Sequence, residues 1–284
     1  KYSNSNTIFA RSLIFFKFTW KSCFLVFREK YDLIFATSTP LTVSLPGILG
    51  RWLKGIPFVF EVRDLWPELP KSMKIIKNPL ILWALYFLEW LSYKSADKCI
   101  GLAPGICEEI ILKNKNADNV IQIPNACDLE IFNTLDISKK IVPKTINKTK
   151  IFKGKKIELL AAFTGAHGFA NGLDSVLDAA KELIVKGRDD IHIVFIGDGI
   201  LKPKLIKRKT DEKIYNCHFI DPLTKLELAE ILKQNIHVGL MILKDVPGFY
   251  RGTSPNKFFD YLSAGLPILI NYPGWMSEIV LNNN

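Results

Sequence analysis

Four short segments of this 284-residue chain place glycines, cations, carboxylates and hydroxyls where they could act on a phosphate or a sugar hydroxyl. In Glu61-Val62-Arg63-Asp64-Leu65-Trp66-Pro67-Glu68 an apolar strand runs into charge and then into an aromatic-proline turn. A carboxylate beside an arginine at a strand end can orient an acceptor hydroxyl or a phosphate, and it can equally form an ion pair that pins the loop. In Gly165-Ala166-His167-Gly168-Phe169-Ala170-Asn171-Gly172 three glycines stand before a helix start. Backbone N–H groups approach an anion closely in such a loop, and the helix dipole favours negative charge there. The loop matches neither the P-loop nor the GxGxxG pattern. His167 suits donation to a phosphate or a sugar hydroxyl, and it also suits a structural place in the turn. Gly197-Asp198-Gly199 has the composition of a tight turn, with Lys202 or Lys204 as a charge partner for a diphosphate. In the fourth segment Ser254 suits a helix cap with Pro255 at the first helical position. Lys257 and Asp260 then share one helical face near its N-terminus. A lysine there can meet a phosphate, and a carboxylate one turn deeper can accept two ribose hydroxyls; the alternative is a surface ion pair.

The elements that must position these residues are legible as a rhythm. Apolar runs at 33–36, 58–62, 98–102 and 120–123 predict strands, with helices over 41–54, 79–95 and 105–113 between them. The second half repeats the pattern, with strands at 159–164, 191–196, 217–220, 238–243 and 268–270 and helices at 172–186, 201–208, 224–233 and 255–264. Such alternation predicts an α/β protein of two Rossmann-like, doubly wound domains, each a parallel sheet with helices on both faces. Open parallel sheets bind ligands at the carboxyl ends of their strands, which is where the four segments fall. The expected partition is a domain over 1–143, a basic linker over 144–157 and a domain over 158–284. Residues 137–157 carry lysines and a proline but no helical stripe, no arginine and a single aromatic, Phe152, in place of regular aromatic interleaving, which fits a solvated connection better than a nucleic-acid site.

Composition narrows the classes. With 48% hydrophobic and 23% charged residues, a disordered or collagen-like chain is excluded. The uncharged runs 33–50 and 261–277 are broken by prolines and do not read as spanning helices. The net charge of +10 is uneven: 18 basic residues face 13 acidic ones in 1–143, 6 face 1 in 144–166, and 14 face 14 in 167–284. A basic first half suits an anionic partner. Within residues 8–28, rich in aromatics, Lys17, Lys21 and Arg28 lie within about 40° of one another at 100° per residue. An interfacial helix on anionic lipid has this form, and so does a helix packed on a sheet with its lysines in water. Five cysteines without CxxC spacing suit reduced thiols of a cytosolic protein. A start at Lys1 and an end at Asn284, soon after an element begins, suggest a piece of a longer protein.

All four segments occur in the order in which one family carries them. The chain resembles a GT-B glycosyltransferase of family 4, the group-1 type of bacterial O-antigen, capsule and exopolysaccharide synthesis. The resemblance rests on Ala36-Thr37-Ser38-Thr39-Pro40-Leu41-Thr42, the 60–68 segment, Ile123-Pro124-Asn125-Ala126-Cys127-Asp128, the 163–174 glycine loop, Gly197-Asp198-Gly199, and Ser254-Pro255-Asn256-Lys257 through Gly265-Leu266-Pro267. It implies two Rossmann-like domains facing a cleft, both incomplete here. It also implies retaining transfer of a sugar from a nucleotide-sugar donor, UDP-linked, to a lipid-linked or saccharide acceptor. No metal or other cofactor is expected, and no Asp-x-Asp pair is present. The catalytic candidates are Arg63, Asp64 and His167. Gly165, Gly168, Asn171, Gly199, Lys202, Ser254, Lys257 and Asp260 are expected on the donor side, and Thr39, Glu61 and Trp66 on the acceptor side. Asp260 matches the second glutamate of the family's Glu-x7-Glu motif, whereas Gly252 stands where the first would be. The expected setting is the inner face of the cytoplasmic membrane, held peripherally, with a lipid diphosphate as acceptor and no nucleic acid.

Two other readings compete. One is a truncated, non-catalytic fragment that binds only nucleotide sugar or membrane. The other is a nucleotide-sugar 2-epimerase on the same architecture, whose carboxylate-and-histidine set is not recognisable here. Tandem dinucleotide-binding domains of an oxidoreductase lack their glycine fingerprint.

Overall fold

Alternation of apolar runs with helix-length stretches produces nine parallel strands in two sheets among the residues that the computed structural model describes, 8–134 and 157–283. In chain order the first sheet carries α1 (Ile8–Arg28), β1 (Ile34–Thr37), α2 (Ser44–Lys54), β2 (Phe58–Val62), α3 (Glu68–Ser72), α4 (Pro79–Ser95), β3 (Lys98–Gly101), α5 (Pro104–Asn114) and β4 (Val120–Gln122). After the short α6 (Leu129–Asn133) the second sheet follows with β5 (Leu159–Thr164), α7 (Asp174–Val185), β6 (Ile191–Ile196), α8 (Lys202–Asp211), β7 (Cys217–Ile220), α9 (Lys225–Asn235) and β8 (Val238–Met241). The chain ends with α10 (Pro247–Gly252), α11 (Asn256–Ser263), β9 (Ile268–Ile270) and α12 (Trp275–Asn282). All nine expected strands form, because each lies in a short, largely apolar run bounded by turn residues. The short helices α3, α6 and α10 are too brief to leave a periodic stripe and had no sequence signal.

The chain divides into two compact units. One takes in Lys1–Asn125, Val246–Ser254 and Pro273–Ile279; the other takes in Ala126–Asp245, Pro255–Tyr272 and Val280–Asn284. The break therefore comes earlier than residue 143. Phe132 is buried in the second unit's core with Leu160, Ala162 and Ile231, and Lys233 Nζ donates to its carbonyl. Two late segments rejoin the first unit, where Trp275 packs on the core and its Nε1 donates to Thr253 O at 2.8 Å. Of the expected basic linker only Ile157 lies among the described residues.

In the first unit the strand order β1-β2-β3-β4 follows the sequence. Right-handed crossovers between successive neighbours bring α2, α4 and α5 to one face of the sheet. Ala36, Phe58, Phe60, Val62 and Cys99 point into that face and bury against Ile48, Tyr93, Ile106 and Ile110. Asn78 starts α4 by accepting from Leu80 N–H at 2.9 Å, with Pro79 at the first helical position. Within this helix layer Glu89 is 1% exposed and ion-paired to Lys113, whose Nζ stands 2.7 Å and 2.8 Å from its two oxygens.

The second sheet runs β7-β6-β5-β8-β9, so its connections reverse direction at β5 and cover both faces. Leu160, Ala162, Val194 and Ile196 pack with Ala229, Leu232 and Tyr261 on one side. Ala161, Phe163, Ile193 and Phe195 pack with Leu173, Leu177 and Leu205 on the other. Thr224 and Glu227 start α9 with reciprocal bonds between each side chain and the other's backbone N–H. The five cysteines are free, and burial pushes the Cys99 and Cys217 thiols up to about 12, which keeps them inert. Among the described residues no helix is long and apolar enough to cross a membrane.

Candidate functional site

The expected site residues form two clusters, one at the carboxyl ends of the strands in each unit. In the first, the loops after β1 and β2 are tied together. Arg63 N–H donates to Ser38 Oγ at 3.0 Å, and Thr39 Oγ1 donates to Asp64 Oδ2 at 2.9 Å. Burial raises the Asp64 carboxyl above its ordinary range, against the Thr39 hydrogen bond and the Arg63 charge, which lower it. A part-buried carboxyl with a raised pKa beside an exposed hydroxyl is suited to taking a proton from an incoming hydroxyl. Arg63 is exposed, Trp66 packs at the edge of the core, and Glu61 lies inside β2 on the face opposite Phe60 and Val62. Thr39, Arg63 and Asp64 thus come together at the strand ends, while Glu61 stands back within the sheet.

Ser254 belongs to this unit as well. Helix α11 begins at Asn256 with Pro255 in the capping position, so Ser254 is not its cap. Its hydroxyl instead accepts from Asn125 N–H at 3.2 Å, and its carbonyl accepts from the Asn125 side chain. At Gly252, eight residues before Asp260, an added Cβ would meet Leu65 at 3.3 Å and Ile106 at 3.7 Å. The position is filled by neighbours, and a glutamate side chain there would have to displace them.

In the second unit the glycine loop after β5 and the turn after β6 interlock through their backbones. His167 N–H donates to Asp198 O at 2.9 Å, Leu201 N–H donates to His167 O at 3.0 Å, and Gly197, at φ 144°, leaves only 2.0 Å between a would-be Cβ and Gly165 O. No side chain fits at Gly197, which explains the Gly-Asp-Gly sequence more fully than turn propensity does. Gly165 is exposed, and Gly168 and Asn171 are half-buried beside it. Asn171 spans the loop, its amide donating to Ala166 O at 2.7 Å while its Oδ1 accepts from Lys257 Nζ at 3.2 Å.

Lys257 is the cation of this cluster. Its Nζ lies 3.8 Å from the centre of the Phe163 ring and within 4 Å of a Cβ placed on Gly165. Desolvation lowers its pKa to about 7, and Asn171 offers a neutral oxygen in place of a carboxylate. An ammonium held against an aromatic face, next to a glycine loop and without an anionic partner in this cluster, suits an incoming diphosphate. What holds it there is one turn further along α11. Tyr261 is fully buried, and its hydroxyl accepts from Thr164 N–H at 3.0 Å and donates to Ala162 O at 3.1 Å. This clamp fixes α11 to the end of β5, and with it Lys257, four residues earlier on the same face. Tyr261→Phe should cost about 1–3 kcal/mol, because Thr164 N–H loses its partner in the core. A urea melt checks this, and an unchanged midpoint would show that the clamp is unimportant.

Two expected donor-side or catalytic residues, His167 and Lys202, have other places. The His167 ring is fully buried among Phe163, Phe195 and Phe219. Burial, with help from the Lys202 charge, lowers its pKa to about 4, so it is neutral and turned away from any ligand on the loop surface. Lys202 is 8% exposed and donates to Gly197 O at 2.9 Å, Ile220 O at 3.3 Å and Asp221 Oδ1 at 2.6 Å. It closes the carboxyl ends of β6 and β7 and is not free for a diphosphate. Asp260 is 5% exposed and ion-paired with Lys225. Lys225, Tyr261 and Asn125 were missed as site residues. Lys225 and Asp260 are 35 positions apart, and only the fold joins them.

Comparison with known proteins bears on the family and the fold. Residues 11–126 match the family model described as a glycosyl transferase 4-like domain. The chain is 34% identical over 193 residues to the UDP-N-acetylglucosamine--N-acetylmuramyl-(pentapeptide) pyrophosphoryl-undecaprenol N-acetylglucosamine transferase of Geobacillus kaustophilus, a match covering 68% of this chain and 44% of the relative. It therefore spans less than half the length of that protein. Among solved structures, Anabaena Alr3699/HepE in complex with UDP superposes with a TM-score of 0.63 at 15% identity, over 94% of this chain and 65% of that one. A putative UDP-N-acetylglucosamine 2-epimerase from Listeria monocytogenes superposes with a TM-score of 0.57 at 14% identity, over 95% and 64%. At such identities the superpositions establish the fold alone.

Proposed function

We propose, from a chain that carries a glycosyl transferase 4-like domain over residues 11–126 in the two-unit GT-B architecture, that it works in transfer of a sugar from a UDP-sugar to a lipid-diphosphate-linked or saccharide acceptor. The observation that carries this reading is Lys257, a desolvated ammonium beside a glycine loop at the carboxyl end of β5. The diphosphate of the donor takes the place of the Asn171 contact, and its charge is met by Lys257 and the loop backbone. As the bond from the sugar to the diphosphate breaks, negative charge grows on the leaving oxygen, and a half-buried cation already held in place stabilises it at little reorganisation cost. Asp260, steadied by Lys225, is the carboxylate for the donor ribose. Asp64, with Thr39 and Arg63, serves the acceptor hydroxyl. No metal takes part in this reading, and the transfer retains the configuration of the sugar.

The relative's acceptor is a pyrophosphoryl-undecaprenol, which favours a polyprenyl-diphosphate saccharide in cell-surface polysaccharide synthesis. The test is incubation of the protein with radiolabelled UDP-N-acetylglucosamine and UDP-glucose, with and without a polyprenyl-diphosphate-linked saccharide. Label entering the lipid fraction supports transfer. Conversion of the donor sugar without acceptor would favour the epimerase reading, and donor binding without any turnover would favour a binding fragment.

A further inference from the structure

The outward sides of α1, α2 and α4 carry aromatic residues that neither sheet nor core uses. On α4, Leu80, Trp83, Phe87 and Trp90 are 76%, 70%, 52% and 44% exposed and fall within about 80° at 100° per residue. Trp83 and Phe87 stack with ring centres 6.2 Å apart, and Phe87 and Trp90 lie 5.9 Å apart, so the stripe is an ordered ridge. On α1, Phe16, Trp20 and Phe24 form a second stripe, 66%, 70% and 61% exposed, bordered by exposed Lys17 and Lys21.

The helix between them joins the two. Trp52, at the end of α2 and 67% exposed, donates from Nε1 to Ser95 Oγ at the end of α4, 2.8 Å away. Lys54 Nζ reaches Val26 O at 2.9 Å and Glu29 O at 3.1 Å at the end of α1. The three helices hence form one layer on the same side of the first sheet, with both ridges facing away from it.

We infer that this layer is a docking face for an anionic lipid bilayer, and that α4 and Trp52 take part in it together with α1. Charge decides the occupant. Lys17, Lys21, Lys54 and Lys94 lie on these helices, as do Arg28 and Arg51, which pair with Glu29 and Asp97 just past the ends of α1 and α4; the single carboxylate on the helices among the described side chains, Glu89, is buried and paired to Lys113. Tryptophan and phenylalanine bordered by lysine, with no exposed acid on the helices themselves, match the interface between headgroup and acyl chain, where apolar area and cationic charge add. The face deepens the lipid-linked acceptor reading, since it would bring the strand-end cluster of the same unit to the surface that holds such an acceptor, but its test needs no sugar.

The experiment is co-sedimentation of the protein with vesicles of phosphatidylcholine alone, or with about one third phosphatidylglycerol. The expected result is binding to the anionic vesicles at least about tenfold stronger than to the neutral ones and weakened by salt. Trp83→Ala with Phe87→Ala, and separately Lys17→Glu with Lys21→Glu, should each lower it by about tenfold or more while circular dichroism and melting stay unchanged. Equal partition of the α4 pair and the unchanged protein would overturn the proposal. So would a stable dimer in sedimentation analysis that Trp83→Ala with Phe87→Ala abolishes, because the face would then belong to a second copy. Vesicle binding without sugar transfer leaves docking standing and removes the transfer reading; transfer to detergent-dispersed acceptor without vesicle binding does the reverse.

Discussion

Lys257→Ala weakens UDP binding by about 10- to 100-fold, the cost of one or two charge-assisted hydrogen bonds to a diphosphate. The fold should not suffer, because the replaced group is a cation that burial holds in an unfavourable place. Its pKa of about 7 in the protein, against 10.5 for an unperturbed lysine, gives two pH dependences. Between those values the unfolded chain keeps the proton that the native chain has lost, so the cost of burying the Lys257 cation is full below pH 7 and fades as pH rises through this window, and stability rises with it. Binding runs the other way. A bound diphosphate draws the pKa of Lys257 back up, so above pH 7 the complex forms with proton uptake and affinity falls as pH rises. Calorimetric titrations of UDP at pH 7 and pH 9 check this, and Lys257→Ala should remove most of the slope. A variant with full affinity, or one that keeps the slope, would take Lys257 out of the donor site.

Lys113→Met should destabilise the first unit by about 3–5 kcal/mol at pH 8, the cost of leaving a buried carboxylate without its cation. Glu89 then has only Tyr93, whose hydroxyl donates to it at 3.1 Å. Burial raises the Glu89 pKa even with Lys113 present, and removing the cation raises it further. Native protein then holds a proton on Glu89 where unfolded chain does not, so the deficit is smallest at low pH and grows as pH rises through the native pKa. Urea melts at pH 5.5 and pH 8 read the difference. A loss of stability equal at both pH values would mean that Glu89 does not carry an uncompensated charge in the variant.

The sequence is informative wherever a signal is local. The runs Phe58–Val62, Leu159–Thr164 and Ile191–Ile196 fall in strands because their composition and their bounding turns are contained in the runs themselves. Lys257 could be singled out because its distance from Asp260 in the chain puts both on the first turns of one helix. Side-chain direction was not legible. His167 stands in a glycine loop, where a ligand-facing ring is a fair expectation, but three phenylalanines from β5, β6 and β7 make an apolar slot that takes it inward. Lys202 follows a Gly-Asp-Gly turn, yet two carbonyls and Asp221 at the strand ends claim its ammonium. The Lys225–Asp260 pair and the Asn125–Ser254 pair join residues 35 and 129 positions apart, beyond any pattern in a single sequence. The unit boundary was misplaced for the same reason, because Phe132 enters the second core through tertiary contacts alone.

The central claim is that the second unit holds a nucleoside diphosphate at the loop beside Lys257. Isothermal titration of UDP and UMP into the protein at pH 7 tests it most directly. A single saturable site that binds UDP at least about tenfold more tightly than UMP is the result predicted from a charge-assisted contact to the outer phosphate. Equal affinities for the two nucleotides, or no heat of binding from either in protein that melts cooperatively, would contradict it.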